Sequence, residues 1–424
     1  MNPVLRVRPS GGPGGPLLDV RSGPFLLRDL VADPSLGRHR HRAGPLARPS
    51  LHGLVEDLAG ADVRGRGGAG FPFATKLRTA AEAGRRREVV VNVSEGEPAS
   101  FKDAALALTR PHLVLDGAAL CARALGTRRV HVVLPGDRPG VAAALRRAVA
   151  ERVQDGERLR WRLHTTDPGF VAGQGRAVIE LLSGRPNLPV TAWAPEARAG
   201  YRGRPTLLSN AETFAHVALL LGAGSASYRT SGTADEPGSR LLTIGGESGR
   251  PVVVEATHGT PWRDLLDEPV LDRPVLVGGY HGTWAAPGAL RDLTLSRTGM
   301  AAAGLTLGAG VVLPLAAGDC PVHRTAAVTA YLAGQSAGRC GPCRNGLPAL
   351  TDGVRALDEG VDVSARVGEL TRTVTGRGAC AHPDGTARMV RSMLALFGEE
   401  LDAHAAGDCT YRHADALPGP RSRR

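Results

Sequence analysis

Between residues 88 and 221 the chain alternates between two periodicities. Glu88 to Val93 is a short run around Val89-Val90-Val91 that reads as a buried strand. Asp103 to Leu125 carries apolar residues at helical spacing. Arg128 to Leu134 reads as a second strand, Val141 to Val153 as a helix, Arg158 to His164 as a third strand, and Arg176 to Leu182 as a helix. A further helix is expected over Ala211 to Leu221. Strands alternating with helices argue for a sheet of parallel strands, so the expected fold class is α/β. Aromatic residues are only 4% of the chain, so the core must be built from Leu, Val and Ala.

The flanks follow other rules. Residues 1–50 are rich in Gly, Pro and Arg and read as an irregular arm. Tyr228 to Ser239 is polar and Gly-rich, a plausible linker. Short strands over Leu241–Gly245 and Val252–Ala256, with a short helix near Trp262, suggest a small α+β unit over 240–310. From Thr325 onward the pattern is helical, and the end after Leu417 is Pro/Arg-rich. The resulting division is 1–50 arm, 51–230 α/β domain, 240–310 α+β unit, 320–405 helical bundle and 406–424 tail.

The formal charge is +11, but the arginines are spread along the chain and few aromatics are interleaved for base stacking. An arginine-rich solvated surface accounts for this better than nucleic-acid binding. No apolar run approaches the roughly 20 residues that span a bilayer, and the N-terminus lacks the layout of a signal peptide. The expectation is a cytoplasmic protein without direct membrane insertion.

Among 52 basic residues only Lys76 and Lys102 are lysines. Lys76 ends the run Arg64-Gly65-Arg66-Gly67-Gly68-Ala69-Gly70-Phe71-Pro72-Phe73-Ala74-Thr75. Bare backbone and an ammonium are the parts of a phosphate cradle. Gly65, Gly67 and Gly70 match G-x-G-x-x-G, yet Leu54 to Leu58 ahead of them reads as helix, which excludes the usual dinucleotide-binding arrangement. Phe71 either stacks on a ligand ring or belongs to the core. Lys102 follows Asn92-Val93-Ser94-Glu95-Gly96-Glu97-Pro98, a polar loop leaving a strand end, where ligands bind in open α/β sheets. For Lys102 a site role and an ordinary surface role weigh equally.

Of six cysteines, Cys340 and Cys343 form C-x-x-C, with Cys380 downstream. They can serve an iron–sulfur cluster, a zinc site with His382 as fourth ligand, or a redox dithiol. Cys121 reads as core; Cys320 and Cys409 stand isolated.

Taken together these motifs resemble the NADH-oxidising flavoprotein subunit of respiratory complex I, whose core recurs in NAD-linked hydrogenase and formate dehydrogenase subunits. The resemblance runs over roughly residues 50 to 400. It rests on the glycine run through Lys76, on Asn92 to Asp103 with Glu-x-Glu-Pro and Phe-Lys-Asp, and on Pro111-His112-Leu113. It also rests on Pro205-Thr206 to Thr213, and on Cys-x-Pro-Cys-Arg-x-Gly at Cys340 to Gly346.

The resemblance implies a Rossmann-like FMN-binding domain, a ubiquitin-like SLBB unit at 240–310 and an iron–sulfur helical bundle. It implies FMN contacts from Gly65, Arg66, Gly67, Lys76, Asn92, Glu95 and Asn210, with NADH meeting Phe71, Lys76 and Glu97. Gly68, Gly70, Ser94, Phe170, Gly173, Thr206 and Ser209 complete the candidate cofactor set, and Glu97 and Lys76 are the candidate catalytic residues. Cys340, Cys343 and Cys380 would hold a [4Fe–4S] cluster. The implied partner is a ferredoxin-like or other iron–sulfur subunit.

The chain departs from the family at Ala337, where a cluster cysteine is expected, at Gln174-Gly175, where two carboxylates are expected, and at Ser94 and Ser209. These departures motivate a second reading, a flavin and iron–sulfur relay or assembly module without nicotinamide binding.

Overall fold

A computed structural model describes residues 3–11, 16–30, 34–245 and 249–411. The chain divides into two units, Met1–Thr260 and Pro261–Arg424. The boundary falls inside the 240–310 segment that the sequence sets apart.

The first unit begins with β1 (Val4–Val7), β2 (Leu18–Arg21) and α1 (Leu36–Ala43). α2 (Leu51–Gly60) precedes the glycine run and α3 (Phe73–Glu82) follows it. Then come β3 (Glu88–Asn92), α4 (Lys102–Thr109), α5 (Pro111–Ala124), β4 (Arg129–Leu134), α6 (Pro139–Gln154), β5 (Arg160–Thr165) and α7 (Gly175–Leu182). β6 (Thr206–Asn210), α8 (Ala211–Ala223), α9 (Ser225–Arg229), β7 (Ser239–Ile244) and β8 (Val252–Thr257) complete it.

Four parallel strands form the sheet that matters most, in the order β5-β4-β3-β6. The order reverses between β3 and β6, since β4 and β5 extend to one side of β3 and β6 lies on the other. This is a topological switch point, where open α/β sheets leave a crevice beyond their carboxyl ends. β3 and β6 are buried at every position, as sheet strands covered on both faces must be. β5 is an edge strand with largely exposed residues. Val89, Val91, Val130 and Val132 pack with Leu115, Leu207 and Phe214 in one core.

The expected helix over 103–125 is two helices. Arg110 leaves helical geometry, and Pro111 opens α5, where its missing N–H costs nothing.

The arm reading of residues 1–50 is corrected. β1 pairs with β2 and β2 with β8, in a sheet ordered β1-β2-β8-β7 within this unit. Leu18, Val20, Leu26 and Leu27 are fully buried. The Glu255 carboxylate on β8 accepts from the amides of Phe25, Leu26 and Leu27 at 2.9–3.0 Å. Local apolar strings this short carry no periodicity, so the pairing partner more than 200 residues away decides the structure.

The second unit has the short α10 (Glu268–Leu271), then β9 (Val275–Val277), β10 (Thr283–Ala285), α11 (Arg297–Ala302) and β11 (Val311–Pro314). β9 is central and antiparallel to both β10 and β11. After them come α12 (Pro321–Gly334), a π-type turn at Pro342–Gly346, α13 (Leu347–Asp358), α14 (Ser364–Val374), α15 (His382–Leu396) and α16 (Gly398–Ala405). The expected tail beyond 411 lies outside the described residues. Among the described residues no helix is long and apolar enough to cross a membrane.

Candidate functional site

Asn92 and Asn210 are register partners at the carboxyl ends of β3 and β6, so the switch point lies at these two residues. Asn210 caps α8, its side-chain oxygen accepting from the Thr213 amide, while its Nδ2 lies 3.4 Å from both Asp103 oxygens. Asn92 Nδ2 donates to the Gly173 carbonyl at 2.7 Å. Lys76, on α3, reaches β6 and donates from Nζ to the Leu208 carbonyl at 3.0 Å. Residues from four separate stretches of sequence therefore meet beyond one pair of strands.

Glu95 is spent on architecture. Its carboxylate accepts from the Ser100 hydroxyl and from the Asp103 and Ala104 amides at the start of α4, and pairs with Arg138 at 2.8 Å. This holds the β3 loop against α4, where a carboxylate also suits the helix dipole. Ser94 Oγ meets Thr166 Oγ1 at 3.2 Å. Gly96 and Gly173 bring the two loops into backbone contact: a Cβ on Gly96 would strike the Phe170 carbonyl, and one on Gly173 the Ser94 carbonyl. Phe170 is buried under this contact. Glu97 is half-buried, its carboxylate near the Ala99 amide.

The glycine run is held at both ends. Arg66 N–H donates to Thr213 Oγ1 at the start of α8, and its carbonyl accepts from Lys102 Nζ at 2.9 Å. Its guanidinium turns inward to the Ser239 carbonyl and His258. What Arg66 offers the loop is therefore its main chain. At Gly67 no atom lies within 4 Å of the place a Cβ would take. Phe71 is 50% exposed, so the core reading is excluded, whereas Phe73 is the buried aromatic. Thr206 is fully buried and ties Tyr201 N–H to the Arg204 carbonyl. Ser209 is buried at the end of β6.

Lys102 is not a surface residue. It is buried, 2.6 Å from Glu212 and 3.6 Å from Asp103. Burial works against its charge, but Asp103 and Glu212 prevail and raise its pKa. Burial likewise opposes the Glu212 carboxylate, and Lys102 and Arg66 hold it at about 2. Asp103 is pushed up to about 7, by burial first, against Lys102 and with the repulsion of Glu95 and Glu212. For Lys76, burial lowers the pKa while the Glu196 charge opposes it.

Glu196 is a residue that sequence reasoning missed. A Cβ on Gly175 would lie 3.0 Å from its Oε1, and Arg176 is 3.3 Å away. A carboxylate thus stands beside Gly175 although none occurs at that position. It comes from an irregular Ala-Pro-Glu segment that carries no periodic signal.

A recess of about 470 Å³ lies elsewhere, lined by Arg28, Arg42, Arg110 and Tyr228 among others, and includes none of the candidate residues.

In the second unit, Cys340 precedes the π-type turn, Cys343 lies buried within it, and Cys380 stands just ahead of α15. Such turns concentrate at functional sites. Burial raises the Cys343 thiol to about 11, aided by its hydrogen bond with Cys340 and the charges of Cys340 and Cys380. For Cys340 burial is outweighed by hydrogen bonds from the backbone at Ala379 and Cys343 and from the Cys343 thiol, and its pKa falls below the ordinary range. Cys340 and Cys343 share a hydrogen bond between their sulfurs, and the charge of Cys380 acts on Cys343, a donor set that suits a thiolate-bound cluster. His382 is corrected as a fourth ligand: its Nε2 donates to the Leu332 carbonyl at 2.8 Å and its Nδ1 meets His281 Nε2 at 3.0 Å.

Comparison with known proteins finds two family matches. Residues 58–219 match the Nuo51 FMN-binding domain, and residues 323–404 match the NADH-ubiquinone oxidoreductase-F iron-sulfur binding region. The second F-type subunit of the NADH-quinone oxidoreductase of Rhizobium meliloti (strain 1021) is 28% identical over 410 residues, covering 90% of this chain and 97% of the relative. The F-type subunit of the same enzyme from Escherichia coli (strain K12) is 29% identical over 407 residues, covering 89% and 92%. Among solved structures, an NAD+-reducing [NiFe]-hydrogenase in the H2-reduced state matches with a TM-score of 0.78 at 28% identity, over 91% of this chain and 67% of that chain.

Proposed function

We propose that this chain, which is similar to F-type NADH-quinone oxidoreductase subunits, is an NADH dehydrogenase-type oxidoreductase. Hydride passes from NADH to FMN, and single electrons leave through an iron–sulfur cluster. The observation that carries this is the meeting of Lys76, Asn92, Gly173 and Asn210 at one sheet switch point. The open space at Gly67 supports the fit of a flavin phosphate or ring there.

A flavin takes up two electrons as a hydride and returns them one at a time, which is the chemistry this cofactor supplies. The chain's own residues position and shield. Main-chain groups of Gly65, Arg66, Gly67, Gly68 and Gly70 cradle the cofactor. Lys76 lends positive charge to it and to NADH, and Asn92, Ser94, Ser209 and Asn210 border the crevice. Glu95, Phe170, Gly173 and Thr206 act one layer back, fixing the loops. The half-exposed Phe71 presents a flat ring to NADH, and Glu97 supplies a carboxylate on the β3 loop. Glu196 takes over the charge that Gln174 and Gly175 lack. Cys340, Cys343 and Cys380 would hold the cluster with three thiolates.

The finer architecture belongs to the same reading: an FMN and NADH domain over 51–230, an SLBB ubiquitin-like unit over 240–310 and an iron–sulfur helical bundle over 320–405. The electron acceptor is a ferredoxin-like or other iron–sulfur subunit, and the protein works in the cytoplasm.

The test is reconstitution of the full chain with FMN, iron and sulfide without oxygen, followed by NADH with ferricyanide as acceptor. Turnover that requires FMN is the expected result. Bound FMN with no response to NADH or NADPH would leave the relay reading in its place.

A further inference from the structure

Besides the core residue Cys121, two cysteines take no part in that chemistry. Cys320 stands at the start of α12, and Cys409 follows α16. The fold brings both to Glu400 and His404, one turn apart on α16. The four side chains each offer one ligand atom, and these atoms all lie within 4.8 Å of one another. Cys320 Sγ is 3.4 Å from His404 Nε2 and 3.7 Å from Glu400 Oε1, and Nε2 and Oε1 are 3.1 Å apart. Metal–ligand bonds of about 2.0–2.3 Å arranged as a tetrahedron give edges of roughly 3.3–3.8 Å. We propose that Cys320, Glu400, His404 and Cys409 bind one zinc ion in a closed, structural site separate from the cluster cysteines.

The surrounding contacts aim the ligands. His404 Nδ1 lies 2.9 Å from the Asp358 carbonyl, which can only accept, so Nδ1 carries the hydrogen. That leaves the Nε2 lone pair directed at Cys320 and Glu400, an arrangement that metal-bound histidines use. Thr410 holds the other Glu400 oxygen, Oε2, through its amide at 3.2 Å and through its hydroxyl. Oε1 faces Nε2 and accepts from the Cys320 thiol, and a cation that takes the place of that thiol hydrogen would lie between the two acceptors and the sulfur.

Cys320 stands at the amino end of a 14-residue helix, where burial pushes its thiol up and the main-chain N–H groups of His323 and Val322 oppose that shift. Cys409 Sγ lies 2.6 Å from the Tyr411 carbonyl, a contact that uses the thiol hydrogen. Metal binding releases that proton and the Cys320 proton to solvent and replaces two S–H bonds by two metal–sulfur bonds.

The ligand set decides the metal. Two thiolates, an imidazole and a carboxylate suit borderline zinc, whereas magnesium and calcium want oxygen alone. Four protein ligands leave no open position, which points to structure rather than catalysis. The ion would pin the segment after α16 to the start of α12.

The experiment uses the full chain purified without added metal, with zinc, iron and acid-labile sulfide measured per chain, followed by cobalt(II) added to zinc-stripped protein. One zinc per chain, and cobalt bands of a tetrahedral thiolate site, are expected. Cys409→Ser and His404→Gln should each lose the zinc and the cobalt bands, while Cys343→Ser should lose iron and keep zinc. The wild-type cobalt spectrum tests the site even if a variant does not fold. Wild-type protein that yields neither zinc nor a tetrahedral cobalt spectrum overturns the proposal. So does Cys409→Ser protein that keeps its zinc, or that loses iron and sulfide instead, which would place a cluster there.

Discussion

Lys76 and Lys102 carry the same ammonium and do different work because their surroundings differ. Lys102 is enclosed with Glu212, and the pair fastens the glycine run to α4 and α8. Breaking a buried pair leaves an uncompensated charge, which costs about 3–5 kcal/mol. Lys102→Met should therefore lower the urea midpoint sharply and loosen FMN binding as a consequence. A midpoint within experimental error of wild type would show that the pair does not hold the loop.

Asp103 makes the neighbouring prediction. Its folded pKa of about 7 stands above the ordinary 3.8. Between these values the folded state keeps a proton that the unfolded chain has released. Stability should therefore fall as pH rises from 3.8 to about 7 and then level off. Glu212 acts in the opposite sense at lower pH: held at about 2 against an ordinary 4.5, it withdraws stability as pH drops through that window. Asp103→Asn should flatten the upper slope in denaturation measured across pH; an unchanged slope would assign it to other groups. The sequence favoured a site role for Lys76 but left Lys102 evenly weighed, because burial of Lys102 depends on Glu212, 110 residues away.

At the scale of elements, the parallel sheet was largely legible. β3, β4, β5, α6, α7 and α8 follow from apolar spacing, since each is long enough to show its period. β6 was not. Its only large apolar residues, Leu207 and Leu208, stand between Pro205 and a helix, too short a run to read. With β6 went the switch point, since strand order is set by packing and not by any local pattern. The glycine loop was visible, and its function can be probed there. A Cβ at Gly67 meets nothing in the protein. Gly67→Val should fold as wild type by thermal melting yet fail to retain FMN, because the branched side chain fills the cradle. Retained FMN would move the cofactor away from this loop.

At the scale of the whole molecule, the redox centres should be separable by mutation. Cys343→Ser should remove the iron while leaving the flavin bound and reducible, as measured by iron content and the flavin spectrum; iron retained at the wild-type level would exclude this thiolate as a ligand. Cys340 and Cys343 stood out in the sequence because they sit in C-x-x-C. Cys320 and Cys409 were not, since only the packing of α16 brings them together. His382 illustrates the converse: it was a possible fourth zinc ligand by sequence, and its hydrogen bonds to His281 and Leu332 occupy both ring nitrogens.

The central claim is that a crevice lacking carboxylates at Gln174 and Gly175 still passes hydride from NADH to a flavin. The most direct measurement is the visible spectrum of the FMN-loaded protein, without oxygen, before and after NADH, for wild type and Glu97→Gln. The account predicts that wild-type flavin bands bleach on mixing and that Glu97→Gln needs markedly more NADH to bleach them while binding the same FMN. Flavin that stays oxidised in wild-type protein under excess NADH would contradict it.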